Sequence, residues 1–90
     1  GAAGLMRVTV ISPERAVFDG QAEAVSATAF DGEIGILPNH APLMTVLGTG
    51  PLRIRTAGGA RTFHVQGGFL QVVSNTVRIL AEQISGDADA

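Results

Sequence analysis

Apolar side chains along this chain recur every second residue, and the stretches between them are built from Gly, Pro, Asn and Asp. An extended strand places successive side chains on opposite faces, whereas a helix needs apolar residues three and four apart. The chain therefore reads as short strands joined by turns, with no long helix in the pattern.

Met6, Val8 and Val10 alternate with Arg7 and Thr9 until Ser12-Pro13-Glu14-Arg15, where the proline cannot donate to a ladder. Ala16-Val17-Phe18 reads as a second strand, closed by a hairpin turn at Asp19-Gly20. From Ala22 to Phe30, Val25, Ala27 and Ala29 share one side, and such small residues imply a second layer packed closely. Asp31-Gly32-Glu33 turns the chain into the apolar run Ile34 to Leu37. Pro38-Asn39-His40-Ala41-Pro42 follows as a proline-braced loop, and Leu43 to Leu47 as another run, ended by Gly48-Thr49-Gly50-Pro51.

Leu52-Arg53-Ile54-Arg55-Thr56 is the cleanest half-buried strand, and Gly58-Gly59 supplies a hairpin after it. Phe63 and Val65 alternate with Thr62 and His64, Gly67-Gly68 breaks the run, and Phe69 to Val73 resumes it. Ser74-Asn75 turns the chain, and Val77, Ile79 and Ala81 close the series. The expectation is an all-β, two-layer β sandwich or flattened barrel of about nine or ten short strands. It forms one domain over residues 5–84, with flexible ends at 1–4 and 85–90.

Composition narrows the function. Six basic residues, all Arg, against eight acids give a formal net charge of −2, so there is no basic field for a polyphosphate backbone and nucleic acid is not an expected partner. No run reaches the roughly 18–20 apolar residues that span a bilayer as a helix, so no direct membrane insertion is expected. The absence of Cys removes disulfides, zinc–thiolate sites and thiol nucleophiles.

Candidate catalytic groups are few. Asp31 and Glu33 flank Gly32 and form a carboxylate pair, but acids on a glycine turn are ordinarily solvated and ionised rather than poised for acid and base work. His40 is presented by the stiff loop between Pro38 and Pro42 as a base, a ligand or an interface donor, with no second ligand at metal spacing. His64, inside a strand, reads as a structural histidine with its bonds satisfied. Ser12, Ser26 and Ser74 lack a Gly-x-Ser-x-Gly elbow. Gly48-Thr49-Gly50 is followed by Pro51 and a strand where a phosphate loop needs a helix. Asp87 and Asp89 have the rhythm of a calcium loop without its glycine and distal glutamate. No catalytic, cofactor or metal site is expected, and the residues describe a binding or structural subunit.

The segment Gly32-Glu33-Ile34-Gly35-Ile36-Leu37-Pro38-Asn39-His40-Ala41-Pro42-Leu43 resembles the signature of the ε subunit of bacterial F-type ATP synthase. Val10 to Arg15 with Phe18 and Gly20, then Gly67-Gly68-Phe69-Leu70, then Val77 to Glu82 agree with that family in the same order, so the likeness spans Val8 to Glu82. Asn39 stands where the family commonly has Gly; Asn tolerates left-handed backbone better than most residues.

The resemblance implies a non-catalytic central-stalk (rotor) subunit that joins the γ subunit to the membrane c-ring and couples proton passage to ATP synthesis. It implies a c-ring interface at Asp31, Gly32 and Glu33, and a γ-subunit interface at His40 and Thr45. It also implies peripheral placement at the cytoplasmic face of the bacterial inner or plasma membrane. The family continues into two C-terminal helices credited with inhibition and, in some bacteria, ATP binding. Here Ile84-Ser85-Gly86-Asp87 leads into small and acidic residues, so neither property is expected of this sequence. Two other classes compete: a free-standing β-sandwich ligand-binding module, disfavoured by four Phe and no Trp or Tyr, and a small hydrolase built on His40 with Asp31 or Glu33.

Overall fold

The structure, a computed structural model, describes residues 5–86. The expectations placed on 1–4, Asp87 and Asp89 lie outside the described residues. The chain forms β1 (Met6–Ile11), β2 (Ala16–Ala22), β3 (Ala24–Ala29), β4 (Gly32–Ile36), β5 (Leu43–Thr56), β6 (Gly59–Val73) and β7 (Thr76–Ser85). They hydrogen-bond in the order β2-β1-β7-β6-β5-β3-β4. Neighbours run antiparallel except β1 and β7, which are parallel.

The architecture is all-β as expected, but seven strands replace the nine or ten, because two expected interruptions are not interruptions. Gly48-Thr49-Gly50-Pro51 lies inside β5, and Gly67-Gly68 lies inside β6. Their real role appears in the side-chain phase. On β5 the inward positions are Leu43, Thr45 and Leu47, then Gly50, Leu52 and Ile54; on β6 they are Phe63 and Val65, then Gly68, Leu70 and Val72. β7 makes the same one-residue change after Ala81, where Ile84 is the next inward residue. Leu47, Gly68 and Ala81 form one row across the three strands, and Thr49, Gln66 and Gln83 the next but one. Each strand therefore inserts one residue at the same level, so pairing register is kept while the inward face changes phase. The sheet creases along that line, which is how one sheet encloses a core.

The glycines at the crease are required by geometry. Gly67 and Gly68 have φ of 75° and 125°, conformations that L side chains rarely adopt. A Cβ on Gly68 would run into the Leu80 carbonyl, and one on Gly67 into the Glu82 carboxylate.

The core is the set of inward residues on both sides of the crease: Met6, Val8 and Val10 of β1, Val25 and Ala27 of β3, Ile36 of β4, and the inward positions of β5, β6 and β7. β2 closes the body by packing against β5. The Arg61 guanidinium lies 5.4 Å from the Phe18 ring centroid and 5.7 Å from that of Phe63, so a cation joins the faces of two rings on β2 and β6.

Asp19-Gly20 is not the expected turn. β2 continues through it, pairing Asp19 with Thr9 and Gly20 with Val8, and the Arg7 Nε donates to Asp19 Oδ1 at 2.8 Å. The chain bends instead at Glu23, whose N–H donates to the Arg55 carbonyl at 2.7 Å. The β1–β2 turn is the expected Ser12–Arg15 segment. There the Ser12 N–H donates to the Arg15 carbonyl at 2.9 Å, while the buried Ser12 hydroxyl lies 3.2 Å from the same oxygen.

Candidate functional site

The residues singled out for chemistry do not converge. Asp31 is exposed in the two-residue turn between β3 and β4, Gly32 takes φ of 137°, and Glu33 is exposed on β4 opposite Thr28. His64 is exposed on the outer face of β6, beside Pro51 and Ser85, rather than held in a bonded interior position. Ser12 is used up in its own turn. Among the described residues, no three His, Asp or Glu side chains come within reach of one metal ion.

His40 is half-buried and fixed by its loop. Its N–H donates to the Leu37 carbonyl at 3.2 Å, and its ring Nδ1 lies 2.7 Å from the Ala41 carbonyl. A carbonyl only accepts, so Nδ1 carries the proton and Nε2 is the free nitrogen in the neutral ring. The loop is anchored across the molecule: the Asn39 N–H donates to Asn75 Oδ1 at 2.5 Å, and Asn75 Nδ2 donates to Asn39 Oδ1 at 3.2 Å. Asn39 sits at φ of 67°, in the left-handed region expected for it. Thr45 lies on β5 with its side chain half-buried on the inward phase, opposite Leu70.

The feature that stands out was missed by the sequence reading. Ile11 pairs with Leu80, Leu80 with Phe69, and Phe69 with Val46, so one outward row crosses β1, β7, β6 and β5. All four are apolar and exposed, by 39%, 51%, 52% and 46% respectively. Met44, 66% exposed, stands two residues along β5 from Val46, and its row continues through Gln71, Arg78 and Thr9. Apart from Val46, the residues of these two rows line an open groove of about 630 Å³. At the other end the Phe30 N–H donates to the Val46 carbonyl at 3.0 Å, which sets the 69%-exposed Phe30 ring and the Asp31 turn beside the row.

Scattered apolar residues on a surface mean little, but a contiguous, polar-rimmed patch marks a docking surface. A trace of it exists in the sequence. Leu43 to Leu47 carries apolar residues on both phases around Thr45, and Phe69-Leu70 and Ile79-Leu80-Ala81 do the same, a pattern that belongs to strands covered on both faces. The strands also lack any charged residue in the Ile11, Leu80, Phe69 and Val46 row, so nothing there favours water.

Residues 5–86 match the family described as ATP synthase, Delta/Epsilon chain, beta-sandwich domain. A Brevibacillus brevis protein named ATP synthase epsilon chain is 51% identical over 87 residues, covering 93% of this chain and 66% of that one. A Micrococcus luteus protein of the same name is 45% identical over 87 residues, covering 94% of this chain and 96% of that one. A Leptospira borgpetersenii protein, again of that name, is 43% identical over 77 residues, covering 86% and 61%. The chain thus spans just under two thirds of the Brevibacillus and Leptospira relatives. Among solved structures, a chain of the Euglena gracilis mitochondrial ATP synthase, OSCP/F1/c-ring, superposes with a TM-score of 0.85 at 20% identity, covering 94% of this chain and 55% of that one. One from the Tetrahymena thermophila mitochondrial ATP synthase, central stalk/c-ring, superposes with a TM-score of 0.73 at 23% identity, covering 89% and 65%. At those identities the likeness is one of fold.

Proposed function

The chain belongs to the family of ATP synthase delta and epsilon chains, and from that membership we propose that it is a non-catalytic subunit of the central rotor stalk of an F-type ATP synthase. It joins γ to the c-ring and carries torque from proton passage through the ring towards ATP synthesis. Its place is peripheral, at the cytoplasmic face of the bacterial inner or plasma membrane, held there by its protein partners.

The observation that carries this reading is the outward row Ile11, Leu80, Phe69 and Val46. Covering such a row with a complementary apolar surface removes it from water at about 25 cal/mol per Å² of apolar area, the largest favourable term open to this face. γ is the partner assigned to it. His40 lies at the end of the same layer, tied to the β6–β7 turn, and offers its Nε2 to γ. Thr45 supports the patch from the inward phase between Met44 and Val46.

The c-ring is assigned to the Asp31-Gly32-Glu33 tip. The tip adjoins Phe30 and so lies at the end of the apolar row. Exposed carboxylates at an interface rim steer encounter and fix register more than they add affinity.

The test is reconstitution. Membranes stripped of the native subunit regain uncoupler-sensitive ATP synthesis when this chain is added, and a Phe69→Asp, Leu80→Asp variant does not restore it. Equal recovery with the variant, or none with the parent chain, contradicts the proposal.

A further inference from the structure

A second surface lies beyond the crease, on the outer face of β3, β4 and β5. Its rows are set by register: Gly35 beside Ser26 beside Arg53, then Ala24 beside Arg55, with Leu37 following the end of β4. Arg53 and Arg55 form one wall of an open trough of about 540 Å³, Glu33 and Leu37 stand on the other, and small residues make the floor. Nothing lies within 4 Å of where a Cβ on Gly35 would point, so the trough is open above that residue. β4 is also the last strand of the sheet, with no strand beyond it among the described residues.

Arg53 and Arg55 form no ion pair with any described carboxylate, although the chain is acidic overall, whereas Arg7 is paired with Asp19. Residues two apart on a strand stand about 7 Å from each other on one face, which is also the spacing of alternate side chains in any extended segment. A guanidinium recognises a carboxylate with paired donors.

We propose that this trough docks an extended acidic segment of a partner polypeptide, laid along β3 with carboxylates at alternate residues on Arg53 and Arg55. Leu37 gives the segment an apolar contact, and Glu33 sets its direction by repelling acids from that end. Two cations on a protein of net charge −2 are too few for a bilayer surface, where attraction sums over many basic residues. The trough lies across the crease from the apolar row assigned to γ and meets the proposed c-ring tip at Glu33 alone, so Arg53 and Arg55 test it apart from the rotor assignment.

The experiment titrates isotopically labelled chain with a peptide of alternating Asp and Val, about eight residues long, and reads amide shifts. An Asn and Val peptide and vesicles rich in phosphatidylglycerol serve as comparators. The expected result is shifts on β3, β4 and the second half of β5 that weaken with salt, and about a tenfold loss of affinity in Arg53→Gln, Arg55→Gln. Gly35→Val, whose backbone needs no left-handed conformation, fills the trough and abolishes the shifts while the fold stays intact. Equal binding of the Asn peptide, unchanged binding by both variants, no shifts at all, or binding to vesicles but not to the Asp peptide would each overturn the proposal.

Discussion

Asn39 and Asn75, on different turns, exchange two hydrogen bonds: the Asn39 N–H to Asn75 Oδ1 at 2.5 Å and Asn75 Nδ2 to Asn39 Oδ1 at 3.2 Å. Both residues occupy left-handed backbone, with φ of 67° and 60°. The Asn75 carbonyl also accepts from the Arg7 N–H at 2.9 Å, so the His40 loop, the β6–β7 turn and the start of β1 are bound together.

Asn39→Gly keeps the backbone and the N–H bond and loses one side-chain bond, so it costs about 1 kcal/mol or less. Asn75→Gly also keeps its backbone but loses both bonds, and costs about 1–2 kcal/mol. Urea denaturation of the two variants checks the order; equal stabilities would show that the pair does not hold the loop.

The crease gives a sharper contrast between two glycines. Gly68→Ala forces a Cβ against the Leu80 carbonyl at φ of 125°, a backbone clash worth about 3 kcal/mol or more. Gly35→Ala meets open space and changes stability by about 0.5 kcal/mol at most. Thermal melts of both decide it, and comparable losses would contradict the crease.

The exposed Arg7–Asp19 pair predicts a pH dependence. The Arg7 hydrogen bond, the largest influence, acts with the Arg7 charge against desolvation and holds the Asp19 carboxyl below its usual value, which is near 4 for a free aspartate. A carboxyl with a depressed folded-state value stabilises above the unfolded value and loses that stabilisation as pH falls through the folded one. The stability gap between the parent and Asp19→Asn is therefore small at neutral pH, since the pair is solvated. It shrinks from about pH 4 downward. A gap that grew on acidification would reverse the assignment.

Much of the fold was legible because alternation survives wherever one face is wet. Leu52 to Thr56 and Met6 to Val10 follow it residue by residue. The Asp19-Gly20 expectation failed because the local turn preference is overridden by pairing with β1 and by the Arg7 contact, neither visible locally. The long strands were divided at Gly48 and Gly67 because glycine marks both a turn and a crease, and only register distinguishes them. The Asp31-Gly32-Glu33 turn was legible from its glycine. The apolar row was not, since it joins Ile11, Val46, Phe69 and Leu80 across strands far apart in sequence.

Glu33 belongs to a solvated tip, so Glu33→Gln leaves the melting transition within about 0.5 kcal/mol of the parent. The same change slows association with an isolated c-ring, most clearly at low salt, because the lost charge acts on encounter. A large fall in thermal stability would place Glu33 in the fold rather than at the interface.

The most direct measurement is a calorimetric titration of purified γ with this chain and with its Phe69→Asp, Leu80→Asp variant. The parent chain should bind one to one with a negative heat-capacity change, the mark of apolar burial. The variant, folded by circular dichroism, should lose at least about a hundredfold in affinity, as charges placed in a desolvated interface do. Undiminished binding by the variant, or none by the parent, contradicts the assignment of that face to γ.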